Sequence, residues 1–236
     1  MRIWHVRKGA EAKVRRGYPW LFSNELAHSP KDIEPGEPVE LRDHADTPIG
    51  FGYGHPHSLI AYRSLGLGSA PEGGMTEDFV LQRLLRARDL RRRLGLDRAS
   101  HRLCFAEADG LPGLVVDRYL TGRSAIAGQG APAQVLAVRV STAGMDRALP
   151  LVFGALERLV ADDPSGGAAR ESTAILLDQG SSLRALEELP VLPKVWQRLP
   201  AGPWDGSAPT PILAAPGLAR DPLPFAVDFL GGQKTG

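Results

Sequence analysis

The residue pattern predicts an α+β protein in which a small β-barrel or sandwich comes first and a small α+β body follows. Three observations predict it. Short strand-like runs broken by turns fill the chain from Ile3 to about Leu67, one long amphipathic helix opens at Thr76, and a strand, strand, helix, strand order runs from His101 to Leu177.

In the first region Ile3, Val6, Val14, Val39, Leu41, Ile49, Phe51, Leu59 and Ile60 are the expected inward positions, with turns at Pro35-Gly36 and Asp46-Thr47-Pro48. Closing so many short strands into a barrel removes exposed edges. A domain of residues 1–70 therefore ends in the Gly/Ser/Pro-rich stretch before Met75. Thr76 can cap the helix, Glu77 and Asp78 suit its N-terminal dipole, and Gly95 can stop it. Val80, Leu84, Ala87 and Leu94 form its apolar stripe, into which Arg91 also falls, while Arg83, Arg86, Arg92 and Arg93 lie mainly off it.

His101 to Phe105 and Leu114 to Tyr119 read as strands joined by a compact turn with Asp109-Gly110 and Pro112-Gly113. A second helix is expected over Leu149 to Val160 and a strand over Thr173 to Leu177, which makes 75–190 the second domain. Gly122 to Gly144 is too rich in Ala and Gly to assign. The proline-rich stretch from Pro190 reads as an extended connector with one or two edge strands, so 191–236 is set apart.

With 43% hydrophobic and 23% charged residues over 236 positions, the chain can build ordinary cores. The net charge of +1 conceals a basic start, Arg2 to Arg16, followed by an acidic run from Glu25 to Asp46. One cysteine excludes an internal disulfide and a cysteine zinc site, as a reducing cytoplasmic location predicts. No apolar run is long enough for a membrane helix, so no membrane partner is expected.

The residues yield no convincing catalytic constellation. Cys104 lies in an apolar strand, where a buried thiol is the plainer reading. His55 and His57 lack a partner cluster with metal-ligand spacing, and Glu107 and Asp109 read as turn residues. The best functional signal is basic and aromatic: Lys8, Lys13, Arg15 and Arg16 precede Tyr18-Pro19-Trp20-Leu21-Phe22. Cations for phosphates and rings for base stacking thus come together, although Trp20 and Phe22 could equally be barrel core.

Lys8-Gly9, Arg15-Arg16-Gly17-Tyr18-Pro19-Trp20-Leu21-Phe22-Ser23 and the run Glu107 to Tyr119 carry a family resemblance. Ser181-Ser182 with Arg184, Leu186 and Glu187, and the final Gly232-Gln233-Lys234-Thr235-Gly236, extend it. The chain resembles the SAM-dependent 23S rRNA cytosine-5 methyltransferases that carry an N-terminal PUA domain. The resemblance implies a PUA-like barrel, a central α+β domain and then a Rossmann-like methyltransferase domain, of which this chain would hold the first two, with the third absent. It implies ribosomal RNA as partner, a homodimer, and RNA contacts at Lys8, Lys13, Arg15, Arg16, Trp20 and Arg63.

S-adenosylmethionine is the implied cofactor, with Gln233, Lys234 and Thr235 at the entrance to its domain, although this stretch by itself is expected to bind none. Such enzymes add a cysteine thiolate to carbon 6 of cytosine before methyl transfer. Cys104 matches no catalytic motif of the family, so no catalytic residue is assigned and the chain is expected to be inactive alone. The rival readings are a stand-alone PUA-type RNA-binding adaptor and an interaction module that binds no RNA.

Overall fold

The computed structural model describes residues 1–72, 74–121, 131–162, 171–214 and 223–232. Five strands form the first sheet: β1 (Arg2–His5), β2 (Trp20–Phe22), β3 (Pro38–Arg42), β4 (Pro48–Gly54) and β5 (Ile60–Leu67), in the order β1-β3-β4-β5-β2. Beyond β1, Val6 bridges Leu26, and the Arg7 and Ala27 amides bond to the Glu25 and His5 carbonyls. The two edges of the sheet are thereby joined, and a barrel results. A short helix α1 (Glu11–Arg15) packs on it through Val14. The expected inward residues Val6, Val14, Val39, Leu41 and Ile49 are buried with Trp4, Leu21 and Leu26, whereas Ile3 and Leu59 are exposed.

The remaining strands are β6 (His101–Phe105), β7 (Leu114–Leu120), β8 (Gln134–Val140), β9 (Thr173–Asp178), β10 (Val195–Arg198), β11 (Thr210–Ala214) and β12 (Leu223–Val227). They form one seven-stranded sheet, β10-β9-β8-β7-β11-β12, with β6 also on β7. Its helices are α2 (Glu77–Arg93), α3 (Ala143–Arg147) and α4 (Leu149–Ala161). Thr76 caps α2 by accepting the Phe79 amide, and Gly95 leaves the helix at φ 68°, a value that suits a residue without a side chain.

One face of the sheet packs on α2 and α4. Val80, Leu84, Leu114, Val116, Val138 and Leu156 have no exposed surface there. Each such burial contributes about 1.5–3 kcal/mol. Leu94 of the expected stripe is exposed instead, as the C-cap residue just past the end of α2.

The plain α+β reading of this second body is incomplete. β8 and β9 pair in parallel, Gln134 beside Thr173 through Arg139 beside Asp178. Parallel neighbours require a crossover, and α3 and α4 supply it, giving a βαβ unit inside a mixed sheet. β8 falls in the stretch that its Ala and Gly content left unassigned. The proline-rich stretch contributes β10, β11 and β12 to the same sheet.

Candidate nucleic-acid interface

Gly9 and Gly17, at φ 98° and 81°, bracket α1 and turn it across the barrel beside the aromatic strand β2. The Lys13 ammonium lies 4.3 Å from the Tyr18 ring centre and 5.1 Å from that of Phe22, and both Glu25 oxygens accept from it at 2.8 and 2.9 Å. Arg15 donates to Asp43 at 2.6 Å while staying half exposed. Two backbone amides, of Ala45 and Thr47, also donate to Asp43, and hydrogen bonding from the Thr47 amide is the main cause that lowers its carboxyl pKa. Lys8 and Arg16 are exposed, with no side-chain partner among the described residues. Lys8, Lys13, Arg15 and Arg16 therefore share the α1 side of the barrel, and two rings lie against one of them.

Trp20 and Arg63 occupy a different place. Strand register sets Trp20 opposite Arg63 and Arg63 opposite Tyr53, so the three form a row across β2, β5 and β4 on the face that meets the second body. The Trp20 indole donates to Glu107 at 2.9 Å. Arg63 reaches Glu107 at 3.4 Å and Glu187 at 2.8 Å. Tyr53 donates its hydroxyl to the Pro112 carbonyl at 2.6 Å and lies 2.9 Å from Thr142 Oγ1, where burial raises its pKa. The far oxygen of Glu187 accepts the Ala143 amide at 3.2 Å.

The sequence motifs thus contain an interdomain contact that composition alone did not reveal. Glu107 and Asp109 do sit in a turn, the 3-10 segment Ala106–Asp109, but both are also ion-pair partners. Asp109 takes a two-toothed bond from Arg91 at 2.6 and 2.7 Å. The arginine inside an apolar stripe was the available signal for that pair. Arg184, fully buried, donates to Asp146 and to the Val140 and Pro190 carbonyls. It thereby anchors the segment Ser182–Glu187, which presents Glu187 to the barrel.

His55 is buried in the same contact. The His57 and Ser58 amides donate to its Nδ1 at 3.1 and 2.9 Å, which fixes the proton on Nε2, and Nε2 donates to the Glu187 carbonyl at 3.1 Å. His57 pairs with Glu188 at 2.8 Å. Among the described residues no group of three or more His, Cys, Asp or Glu could hold a metal ion. No helix among them is long and apolar enough to cross a membrane. Cys104 has no exposed surface, and desolvation pushes its thiol up to about 12.

A family model described as a PUA-like domain matches residues 5–66. Residues 5–66 form a PUA-like domain. The PUA-like barrel opens a chain that is 27% identical over 235 residues to the ribosomal RNA large subunit methyltransferase I of Cronobacter sakazakii, covering 98% of this chain and 50% of that protein. The enzyme of the same name from Shewanella frigidimarina is 28% identical over 237 residues, with the same shares. The chain spans about half the length of the curated relatives it matches. The family resemblance drawn from the motifs is therefore borne out.

Among solved structures, a Streptococcus mutans protein described as a SAM-dependent methyltransferase superposes with a TM-score of 0.61 at 13% identity, over 90% of this chain and 46% of that one. A methyltransferase complexed with SAH gives a TM-score of 0.56 at 14% identity, over 75% and 40%. At such identities the likeness concerns the fold. It overturns the expected absence of a Rossmann-like methyltransferase domain: one such methyltransferase fold covers nine-tenths of this chain, and the second body here is a mixed sheet with a parallel β8–α4–β9 unit.

Gln233, Lys234 and Thr235 lie outside the described residues. Just before them a cleft of about 800 Å³ is lined by Arg139, Asp178, Ser181, Ser182, Lys194 and Gly231, among others. Arg139 donates to Asp178 at 3.2 Å and Lys194 to the Gly232 carbonyl at 2.6 Å. The described lining also includes Leu192, Pro193 and Leu230, so apolar and charged groups share the cleft.

Proposed function

We propose that this chain binds ribosomal RNA through residues 1–70, as the recognition part of a SAM-dependent rRNA (cytosine-C5) methyltransferase. The observation that carries the reading is the α1 face, where Lys8 and Arg16 are exposed and Lys13 lies against the Tyr18 and Phe22 rings within the PUA-like domain. Lys8, Lys13, Arg15 and Arg16 would neutralise phosphates, a contribution that falls as salt displaces counterions. Trp20 and Arg63, held by Glu107 and Glu187, stand apart from the α1 face, on the barrel face that meets the second body.

The test is a filter-binding titration with rRNA over a series of salt concentrations. Replacing Lys8, Arg15 and Arg16 by Ala should lower the slope of log K against log salt by about 0.7 for each lost contact to a single strand. An unchanged slope would remove the α1 face from the interface.

A binding module without transfer activity of its own is the second reading, favoured by Cys104. The single cysteine of the chain is buried and its thiol is held far from ionisation, so it cannot attack carbon 6 of cytosine. Labelled SAM and rRNA incubated with this polypeptide separate the two readings. Incorporation of label excludes the second.

A further inference from the structure

The barrel carries a groove that the basic motif does not include. Its walls are the segments from Ser23 to Lys31 and from Pro56 to Leu59, and its volume is about 760 Å³, enough for a nucleotide. Resting on the RNA-binding reading above, we infer that this groove binds an unpaired nucleotide of a single-stranded RNA segment.

Charge supports it first. Arg7 and Lys31 line the groove and the lining includes no carboxylate, His57 there being already paired with Glu188 behind it. Arg7 is fixed by its Nε, which donates to the Leu26 carbonyl at 3.0 Å, and its terminal nitrogens have no partner among the described residues. Such an anchored fork suits a phosphate. Shape supports it next, because Leu59 is 76% exposed and stands on the rim beside Pro56, offering an apolar shelf to one face of a base. Only an unpaired base presents that face. Asn24, exposed on the opposite wall, carries both a donor and an acceptor for a base edge.

The groove is also continuous with the α1 face. Arg7 precedes Lys8, and Glu25, which holds Lys13, follows Asn24 in the turn Ser23–Glu25. One strand could run from Lys8 and Arg16 into it. The wall from Pro56 to Leu59 is in turn held by the second body, through His55 to the Glu187 carbonyl, His57 to Glu188 and Ser58 to Glu187.

The experiment pairs anisotropy titrations with photocrosslinking, using a 4-thiouridine-substituted single strand and a duplex of the same sequence. The variants are Asn24→Ala with Lys31→Glu, both exposed and remote from the core, and the triple Lys8, Arg15 and Arg16 to Ala variant. We expect roughly tenfold weaker single-strand binding by the groove variant, little change for duplex, and wild-type crosslinks within 23–31 or 56–59. Wild-type single-strand affinity in the groove variant, or crosslinks confined to 8–22, would overturn the groove and leave the RNA-binding reading standing. A wild-type chain that binds neither RNA would overturn both.

Discussion

Single side chains in this protein do work that their residue types alone would not announce. Cys104 behaves as a small buried hydrophobe because β6, β7 and α2 enclose it, and the cost of placing a thiolate there raises its pKa to about 12. The folded chain should therefore be inert to a thiol-specific reagent at pH 8 and titrate one thiol after denaturation. Fast native labelling would show that the strand opens readily. His55 is fixed by donors at one nitrogen and an acceptor at the other, so it serves as a strut between the barrel and Glu187. The glycine at 144 is the smallest such device: a methyl group there would overlap the Tyr53 ring.

At the scale of elements, α2 shows what sequence pattern does and does not encode. Its cap, its first-turn acids, its stop at Gly95 and the burial of Val80, Leu84 and Ala87 all follow from local chemistry and periodicity. What Arg91 does follows from a strand hairpin away in sequence, because Asp109 closes onto it only once β6 and β7 have paired. Replacing Arg91 by Ala leaves the nearly buried Asp109 carboxylate without its main cation and should cost about 3 kcal/mol in guanidinium unfolding, with Arg91→Lys intermediate. A loss under about 0.5 kcal/mol would mean that water already screens the pair. The same distinction accounts for β8. Val135, Leu136, Ala137 and Val138 are all buried because helices and strands cover both sides of the strand, so no alternation marked it. The prolines around β11 and β12 hid strands for another reason: Pro211 and Pro224 read as breakers, yet they sit opposite Ala226 and Leu213 in a paired ladder near the sheet edge. In the candidate site, the cations and rings around α1 were readable as a motif. The roles of Trp20 and Arg63 were not, since they depend on the row that strand register creates.

Across the whole molecule, the barrel and the mixed sheet are joined by a contact that is polar at its rim and tightly fitted at its centre. Gly36 lies against Ala143, Gly144 against Tyr53, and Phe51 meets Phe79 edge-on with ring centres 5.9 Å apart. Gly144→Ala should therefore destabilise the protein by about 1–3 kcal/mol in urea unfolding. Separate barrel and sheet transitions are the expected sign that the contact itself has opened, and an unaltered single transition would place Gly144 further from the Tyr53 ring than it stands. The two carboxylates that hold Arg63 also come from distant parts of the chain, Glu107 and Glu187. During synthesis at about 5–20 residues per second the first reaches the barrel several seconds before the second. Newly made barrel thus waits with its Arg63 guanidinium able to reach only the first of the two carboxylates that hold it in the finished protein.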